Sequence, residues 1–154
     1  MKRLVLGALL LVPAATDAQT LDARTAQAII AGCVAESTPR MQSHAIVVVD
    51  VGGHEVASLR MDGNGSGIFD FALAKAQAAA AWGFSTAQMV ESAKGTPGFA
   101  SAPHVVTVPG GVPVWSADGK VRLGAIGVSG EAPADDVGCA EAGVRAAGLR
   151  TGRG

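Results

Sequence analysis

The sequence has few of the side chains that nucleic-acid-binding proteins use. Among 154 residues there is no tyrosine, and four phenylalanines and two tryptophans supply all the aromatic rings. Basic and acidic residues are nearly balanced, 12 against 13, with no block of lysine or arginine. Base stacking and phosphate contacts depend on such residues. We therefore expect no nucleic-acid partner.

Cysteine is also scarce, because the chain contains only Cys33 and Cys139. Two cysteines cannot staple a disulfide-rich scaffold, so the fold must depend on its apolar residues, which make up 49% of the chain. At this length we expect one domain with one core. In an oxidising compartment the two cysteines are either paired or buried as thiols, and the sequence leaves both possibilities open.

The first residues predict a signal peptide. Lys2 and Arg3 precede the apolar run Leu4–Val12, which is too short to cross a bilayer. The small residues of Thr16-Asp17-Ala18 predict cleavage after Ala18 and export to a bacterial periplasm or beyond. No cysteine follows the apolar run to carry a lipid, so we expect no membrane attachment after cleavage. Cleavage moves the formal net charge only from −1 to −2, which is too small to steer a partner.

The rest of the chain predicts an α+β domain in which helices cover an antiparallel sheet. We place this domain at residues 19–148 and expect residues 149–154 to form a disordered tail. In chain order the predicted elements are a helix over Leu21–Ser37 with Asp22 as its N-cap, two strands within Met41–Met61, a helix over Ile68–Trp82, a short helix opened by the capping box Ser85–Gln88, three strands ending near Glu131, and a last helix over Ala134–Ala147.

Gly52 and Gly53 predict a two-residue turn between the first two strands. Such a turn sets Asp50 opposite Glu55, and like charges in that position destabilise a sheet. Either the Asp50 side chain caps the turn by accepting backbone N–H groups, or a cation lies between the carboxylates, or the turn differs. Capping is the interpretation we favour.

The stretch Val108–Glu131 predicts a β-hairpin with its turn at Asp118-Gly119. Its strands and strand ends contain five glycines, at positions 110, 111, 124, 127 and 130. Glycine inside a strand indicates that something comes close to the backbone. A covering helix, a neighbouring subunit or a flat ligand would each serve, and close packing of a helix is the favoured interpretation.

Several short motifs follow one another between about Leu21 and Gly148. They are VVVDVGGH at 47–54, RMD at 60–62, Lys75-Ala76, G-G-x-P from Gly110, Asp118-Gly119, GAIGVSG at 124–130, and Asp136 before Ala140. In this order they resemble the GlcG/HbpS family of haem-binding proteins, which is similar to the C-terminal domain of PduO-type proteins. The resemblance implies a profilin-like sheet of about five strands, a homo-oligomer, and haem as cofactor.

Three histidines, His44, His54 and His104, are candidate ligands for a haem iron or a zinc ion. A ligand must be a neutral imidazole near an apolar slot, which suits His54 at a hairpin tip or His104 at the mouth of a strand. The alternative for each is a solvated histidine at a strand end. We predict His54 and His104 as the metal-binding residues.

Lys75 lies on an alanine-rich helix and matches the family's K-A position. It would bind a haem propionate or a small acid as a point charge, or else extend its ammonium to water from the helix edge. Small residues over Ala72–Ala81, together with Gly110 and Gly111, would open a slot for the macrocycle. The predicted cofactor-binding residues are therefore Lys75, His54, His104, Gly110 and Gly111.

No motif in the chain indicates catalysis. Ser129 in GVSG lacks the strand-to-helix turn of a nucleophile elbow, and no G-K-[ST] follows the glycines at 124 and 127. The sequence thus predicts an exported haem-binding protein for sensing, storage or buffering, which binds haem without a covalent C-x-x-C-H attachment. Two alternatives stay open: an enzyme or accessory protein acting on small organic acids or corrinoids, and a structural assembly module.

Overall fold

A computed structural model describes residues 20–154, and the predicted signal peptide lies outside them. Four α-helices, four strands and two short 3₁₀ turns make up the described chain. In order they are α1 (Ala23–Ser37), a 3₁₀ turn (Thr38–Arg40), β1 (Ala45–Asp50), β2 (Glu55–Arg60), α2 (Ser66–Trp82), α3 (Thr86–Gly95), a 3₁₀ turn (Phe99–Ser101), β3 (Gly111–Trp115), β4 (Arg122–Ser129) and α4 (Pro133–Ala146). No helix within residues 20–154 has both the length and the apolar character needed to cross a membrane.

The strands form one antiparallel sheet in the order β2-β1-β4-β3. This confirms the predicted α+β class. The described sheet has four strands instead of about five, because the segment between His104 and Gly110, where the sequence predicts the start of a strand, pairs with none of the others. Pro109 lacks an N–H to donate, and Gly110 at φ 127° turns the chain just before β3 begins.

The two faces of the sheet carry two apolar layers. Ile46 and Val48 of β1 face α1 and α4, whereas Val47 and Val49 face the alanines of α2. A strand that is buried on both faces reads as a continuous apolar run, and residues 45–49, AIVVV, are all fully buried.

The glycines of β3 and β4 let α2 approach the sheet closely. A Cβ atom on Gly127 would collide with the carbonyl oxygen of Ala72, and one on Gly111 would collide with that of Lys75. Close packing of a helix, the favoured interpretation of the hairpin glycines, is confirmed for Gly111 and Gly127, whereas Gly124 and Gly130 lie against the backbone of Val49 and Ser43.

Helices α1 and α4 pack against each other and are joined by a disulfide between Cys33 and Cys139, whose Cα atoms are 4.4 Å apart. Gly143 permits this contact, because a Cβ atom there would collide with the carbonyl oxygen of Ile29. Of the two possibilities left open by the sequence, the structure contains the paired one.

The disordered tail predicted at 149–154 is corrected by the structure. The N–H of Arg150 donates to the Trp115 carbonyl at 3.1 Å, and the Trp115 N–H donates back at 2.8 Å. Leu149 packs against the core, and Gly154 donates to the Gly119 carbonyl at 3.1 Å. β3 is an edge strand, so its outer backbone groups were available to pair with the end of the chain.

Candidate functional site

The turn between β1 and β2 is organised by the side chain of Asp50. Its Oδ1 accepts the N–H of Gly52 at 2.8 Å and that of His54 at 3.0 Å, which confirms the predicted capping. The predicted pairing of Asp50 with Glu55 is wrong, because a register shift in the ladder sets Glu55 opposite Val49. The hydrogen bond from the His54 N–H, followed by that from Gly52, holds the pKa of Asp50 below its usual value.

His54 projects from this turn with 82% of its side chain exposed. Its Nδ1 lies 3.3 Å from Oδ1 of Asp50. A carboxylate beside Nδ1 favours the tautomer that carries its proton there, which leaves the lone pair on Nε2. Imidazoles that ligate metals are oriented by outer partners in this way.

His104 reaches the same turn from another part of the chain. It is exposed, with φ at 58°, and it lines a hollow of about 130 Å³ together with Gly52, Gly53 and Gln77. The Gln77 side-chain amide donates to the Gly53 carbonyl at 3.2 Å, which ties α2 to the turn. Because Gly52 also lies against the His54 ring, the structure brings both predicted imidazoles to one turn. We call Asp50, His54 and His104 the tip cluster.

Apolar side chains are exposed around the tip cluster. Val51 lines the His104 hollow and is 52% exposed. Trp82, at the end of α2, is 39% exposed, and its indole N–H donates to the Pro103 carbonyl at 3.1 Å. The ring of Phe99 lies edge-on to Trp82 with centroids 5.2 Å apart, which fixes the indole in place.

Lys75 lies in a different part of the molecule and is almost completely buried. Its ammonium donates to Oδ2 of Asp136 and to the Val128 carbonyl, both at 2.9 Å, and lies 4.8 Å from the centre of the Phe71 ring. Oδ1 of Asp136 lies 3.2 Å from Nδ1 of His44, which is fully buried. We call Lys75, Asp136 and His44 the buried triad.

Gly110 and Gly111 belong beside the buried triad. A Cβ atom on Gly110 would come within 2.8 Å of the Lys75 ammonium, and the Gly111 N–H donates to the Thr86 hydroxyl at 2.9 Å. The structure therefore brings Lys75, Gly110 and Gly111 together. Protein atoms fill the space between them, so the predicted slot for a macrocycle is closed here.

The buried triad and the tip cluster occupy opposite ends of β1. His44 precedes the strand and Asp50 ends it, so the six intervening steps separate them by about 20 Å. The five predicted cofactor-binding residues thus fall into two separate groups. One group holds the exposed imidazoles, and the other holds the buried ammonium with the glycines.

Sequence reasoning missed His44 and Asp136 as partners of Lys75. Asp136 lies in the first turn of α4, where the helix dipole favours a carboxylate even without a side-chain partner. His44 precedes a strand, as many solvated histidines do. Lys75 and Asp136 lie 61 residues apart along the chain, and His44 and Asp136 lie 92 residues apart. The isolated lysine on an apolar helix was the one available signal.

A second hollow, of about 690 Å³, lies between α1 and the edge strand β2. Its lining is mostly apolar and includes Ile30, Val34 and Val56, and it contains no histidine, lysine or arginine. Its volume falls within the range of small-molecule sites, but it offers no side chain that would ligate iron or pair with a carboxylate. Within residues 20–154, no three or more histidine, cysteine, aspartate or glutamate side chains are grouped to hold a metal ion.

Comparison with family models gives a match over most of the described residues. The model described as "Haem degrading protein HbpS-like" matches residues 21–145. Comparison with curated proteins gives none.

Solved structures share the fold. A PduOC–haem complex is 22% identical over 88% of this chain and 100% of its own, with a TM-score of 0.79. The protein ORFY of Klebsiella pneumoniae is 24% identical over 90% and 97%, with a TM-score of 0.77. A double mutant of HbpS from Streptomyces reticuli is 24% identical over 93% and 97%, with a TM-score of 0.75.

Proposed function

The chain belongs to the HbpS-like family of haem-degrading proteins, and from that premise we propose that it is an exported protein that binds haem at the tip cluster. The single observation that carries the site is His54. Its imidazole is exposed, Asp50 lies beside Nδ1, and Nε2 is open to a ligand. The biological role that fits such binding is haem sensing, storage or buffering.

The residues at the tip suit a haem that lies on the surface. The hollow beside His104, at about 130 Å³, is smaller than the roughly 300–1,000 Å³ of most small-molecule sites. The macrocycle would therefore lie over the turn, against the exposed side chains of Val51 and Trp82. Binding of this kind is non-covalent, and we expect an affinity of about micromolar.

Each side chain of the tip cluster would have a different role in binding such a ligand. His54 supplies the imidazole, and Asp50 orients the ring and favours the tautomer that leaves Nε2 free to ligate. His104 is the second candidate ligand, on the other wall of the turn. When bound, haem would supply a redox-active iron, and the chain's own side chains would supply an imidazole ligand and an apolar surface.

A homo-oligomer would fit this surface site. A flat ligand on an exposed turn leaves one face of the macrocycle in water, and a second copy of the chain would cover it. The family resemblance supports such an assembly. The oligomeric state of the mature protein with and without haemin, measured by light scattering, would test this part of the proposal.

Titration of the mature protein, residues 19–154, with haemin tests the proposed function. We expect a saturable Soret band, and we expect His54→Ala to shift that band and weaken binding by about tenfold or more. His104→Ala tests the second candidate, and Lys94→Ala, at an exposed site on α3, is the matched control. Absence of a saturable spectral change would overturn haem binding and favour the small-acid or assembly alternatives.

The same titration separates binding from turnover. A Soret band that persists after a reductant is added would favour storage or buffering. A band that forms and then decays would indicate degradation, the activity in the family's description.

Export has its own test. Cleavage after Ala18 predicts that the periplasmic protein begins at Gln19, which intact mass spectrometry would detect. A protein that keeps residues 1–18 in the cytoplasm would contradict the export half of the proposal.

A further inference from the structure

A hollow of about 260 Å³ shares Val51 with the His104 hollow. It is enclosed by the residues just before α1, the β1–β2 hairpin and the first residues of β4. Its walls are mainly apolar, with two charged side chains among them. The lining residues used below are Leu21, Asp50, Val51, Val56, Arg122 and Leu123.

Arg122 is the positive charge of this hollow. It is the first residue of β4, where it pairs with Trp115 in the ladder, and its guanidinium lies against Gly83 at the end of α2. A side chain at position 83 would collide with the guanidinium, so the glycine leaves room for it. Among residues 20–154 Arg122 forms no ion pair with a carboxylate.

Arg122 lines a mainly apolar hollow and has no carboxylate partner among residues 20–154, a combination that suits one class of ligand. Arginine presents a planar fork of N–H donors that matches the two oxygens of a carboxylate, and the apolar walls suit the body that carries it. The chemistry is therefore a carboxylate on an apolar molecule. A haem propionate and a free organic acid both have it.

We infer that Arg122 binds a propionate of the haem whose iron is held at the tip cluster, an inference that rests on the proposed function. Val51 lines both hollows, so a macrocycle lying across it would extend from the histidines toward Arg122. Lys75, the residue predicted for this role, is held by Asp136 about 20 Å away at the other end of β1.

Asp50 opposes this binding, because its carboxylate lines the same hollow. Its Oδ1 already accepts two backbone N–H groups and lies beside the His54 ring, so much of its charge is compensated within the turn. Because some repulsion remains, we expect that an uncharged residue at position 50 increases the contribution of a ligand carboxylate to the binding free energy.

The experiment compares haemin with its dimethyl ester, which has the same macrocycle and iron but no free carboxylate. The measured quantity is the ratio of the two dissociation constants, ester over haemin, from Soret titrations of the mature protein. Because both ligands carry the same iron, a change in iron ligation alters both dissociation constants alike and leaves this ratio unchanged. We expect about fivefold tighter binding of haemin by the wild type and a ratio near one for Arg122→Gln.

Three further variants test the comparison. Asp50→Asn keeps an oxygen that accepts the turn N–H groups but removes the charge, so its ratio should exceed that of the wild type. Arg40→Gln removes an exposed arginine from the other end of α1 and should leave the ratio unchanged. Arg122→Lys keeps the charge without the fork, so its ratio should lie between those of wild type and Arg122→Gln, and it replaces Arg122→Gln if circular dichroism shows that variant unfolded.

Failure of the proposed function and failure of the role of Arg122 would give different results. No Soret band with either ligand would overturn the proposed function itself. Soret bands with both ligands and a ratio that Arg122→Gln leaves unchanged would overturn only the role of Arg122. In that second case, calorimetric binding of butyrate to the wild type but not to Arg122→Gln would identify a free acid as the carboxylate of this hollow.

Discussion

The molecule contains the same pair of side chains twice, at opposite ends of β1. His44 and Asp136 approach to 3.2 Å between Nδ1 and Oδ1, and His54 and Asp50 approach to 3.3 Å between the same atoms. Among residues 20–154, neither imidazole has a protein partner at Nε2. The difference is exposure: His44 is fully buried, whereas His54 is 82% exposed.

This difference decides what each pair can do. In the buried triad Lys75 balances the charge of Asp136, and no ligand can reach the imidazole without opening the core. Breaking one partner of a buried ion pair leaves an uncompensated charge, which is strongly destabilising. An exposed pair contributes little to stability, but its free nitrogen can bind. We therefore assign the buried triad to the fold and the tip cluster to function.

The largest expected effect comes from breaking the buried triad. Lys75→Met removes the ammonium and leaves the buried Asp136 carboxylate without its lysine partner, which should lower the free energy of unfolding by about 3–5 kcal/mol. Urea denaturation followed by circular dichroism measures it. Lys94→Met, which removes an exposed lysine paired with Glu91, is the matched control and should change stability by less than about 0.5 kcal/mol.

The double variant Lys75→Met with Asp136→Asn tests the cause. If the loss comes from the uncompensated charge, the double variant should lose less than the sum of the two single ones. Simple additivity of the two losses would show that the residues act independently and contradict the triad.

The disulfide gives the next largest effect. Reducing Cys33–Cys139 opens a connection of 106 residues, and the loss of stability should be about 2–4 kcal/mol. Cys139 lies one turn after Asp136 on α4, so reduction loosens the helix that carries the buried triad. We predict that the haemin affinity of the reduced protein, measured below its unfolding temperature, stays within about twofold of that of the oxidised protein. A much larger fall would show that the tip cluster and the buried triad are energetically coupled.

How much the sequence predicted depends on how local each feature is. The Asp22 cap, with Oδ1 2.7 Å from the Thr25 N–H, and the Ser85–Gln88 capping box both form as expected, because the residues involved are three apart. The buried triad joins residues from three distant elements, so no spacing along the chain could reveal it.

The misplaced features have the same origin. The partner of Glu55 depends on a register shift that the turn glycines do not specify. The last residues fold back because Trp115 is on an edge of the sheet, which only the strand order reveals. The exposed imidazole of His54 was predictable as a candidate from its place at a turn, but Arg122 was not, since its hollow is built from three separate segments.

A smaller effect should appear in the free energy of unfolding at acidic pH. Asp50 has a folded-state pKa below its ordinary value because backbone N–H groups donate to it. A depressed pKa stabilises the fold at pH values above the unfolded-state pKa of about 3.9, and that contribution is lost as the pH falls through the lower folded-state value. Asp50→Asn should remove it, so the stability of wild type relative to the variant should be constant above about pH 5 and should fall below pH 4. A difference that does not change with pH would show that the charge of Asp50 is not held by the turn.

The most direct test of the central claim replaces each of the two histidines in turn and measures both haemin binding and stability. Haemin titrations and urea denaturation are performed on His54→Ala and His44→Leu of the mature protein. We predict that His54→Ala weakens haemin binding by about tenfold or more while changing stability by less than about 0.5 kcal/mol. His44→Leu should lower stability by about 1–3 kcal/mol, because Asp136 loses a buried hydrogen-bond partner, and leave haemin affinity unchanged. Loss of haemin binding in a folded His44→Leu protein, with wild-type binding in His54→Ala, would contradict the assignment of function to the tip cluster.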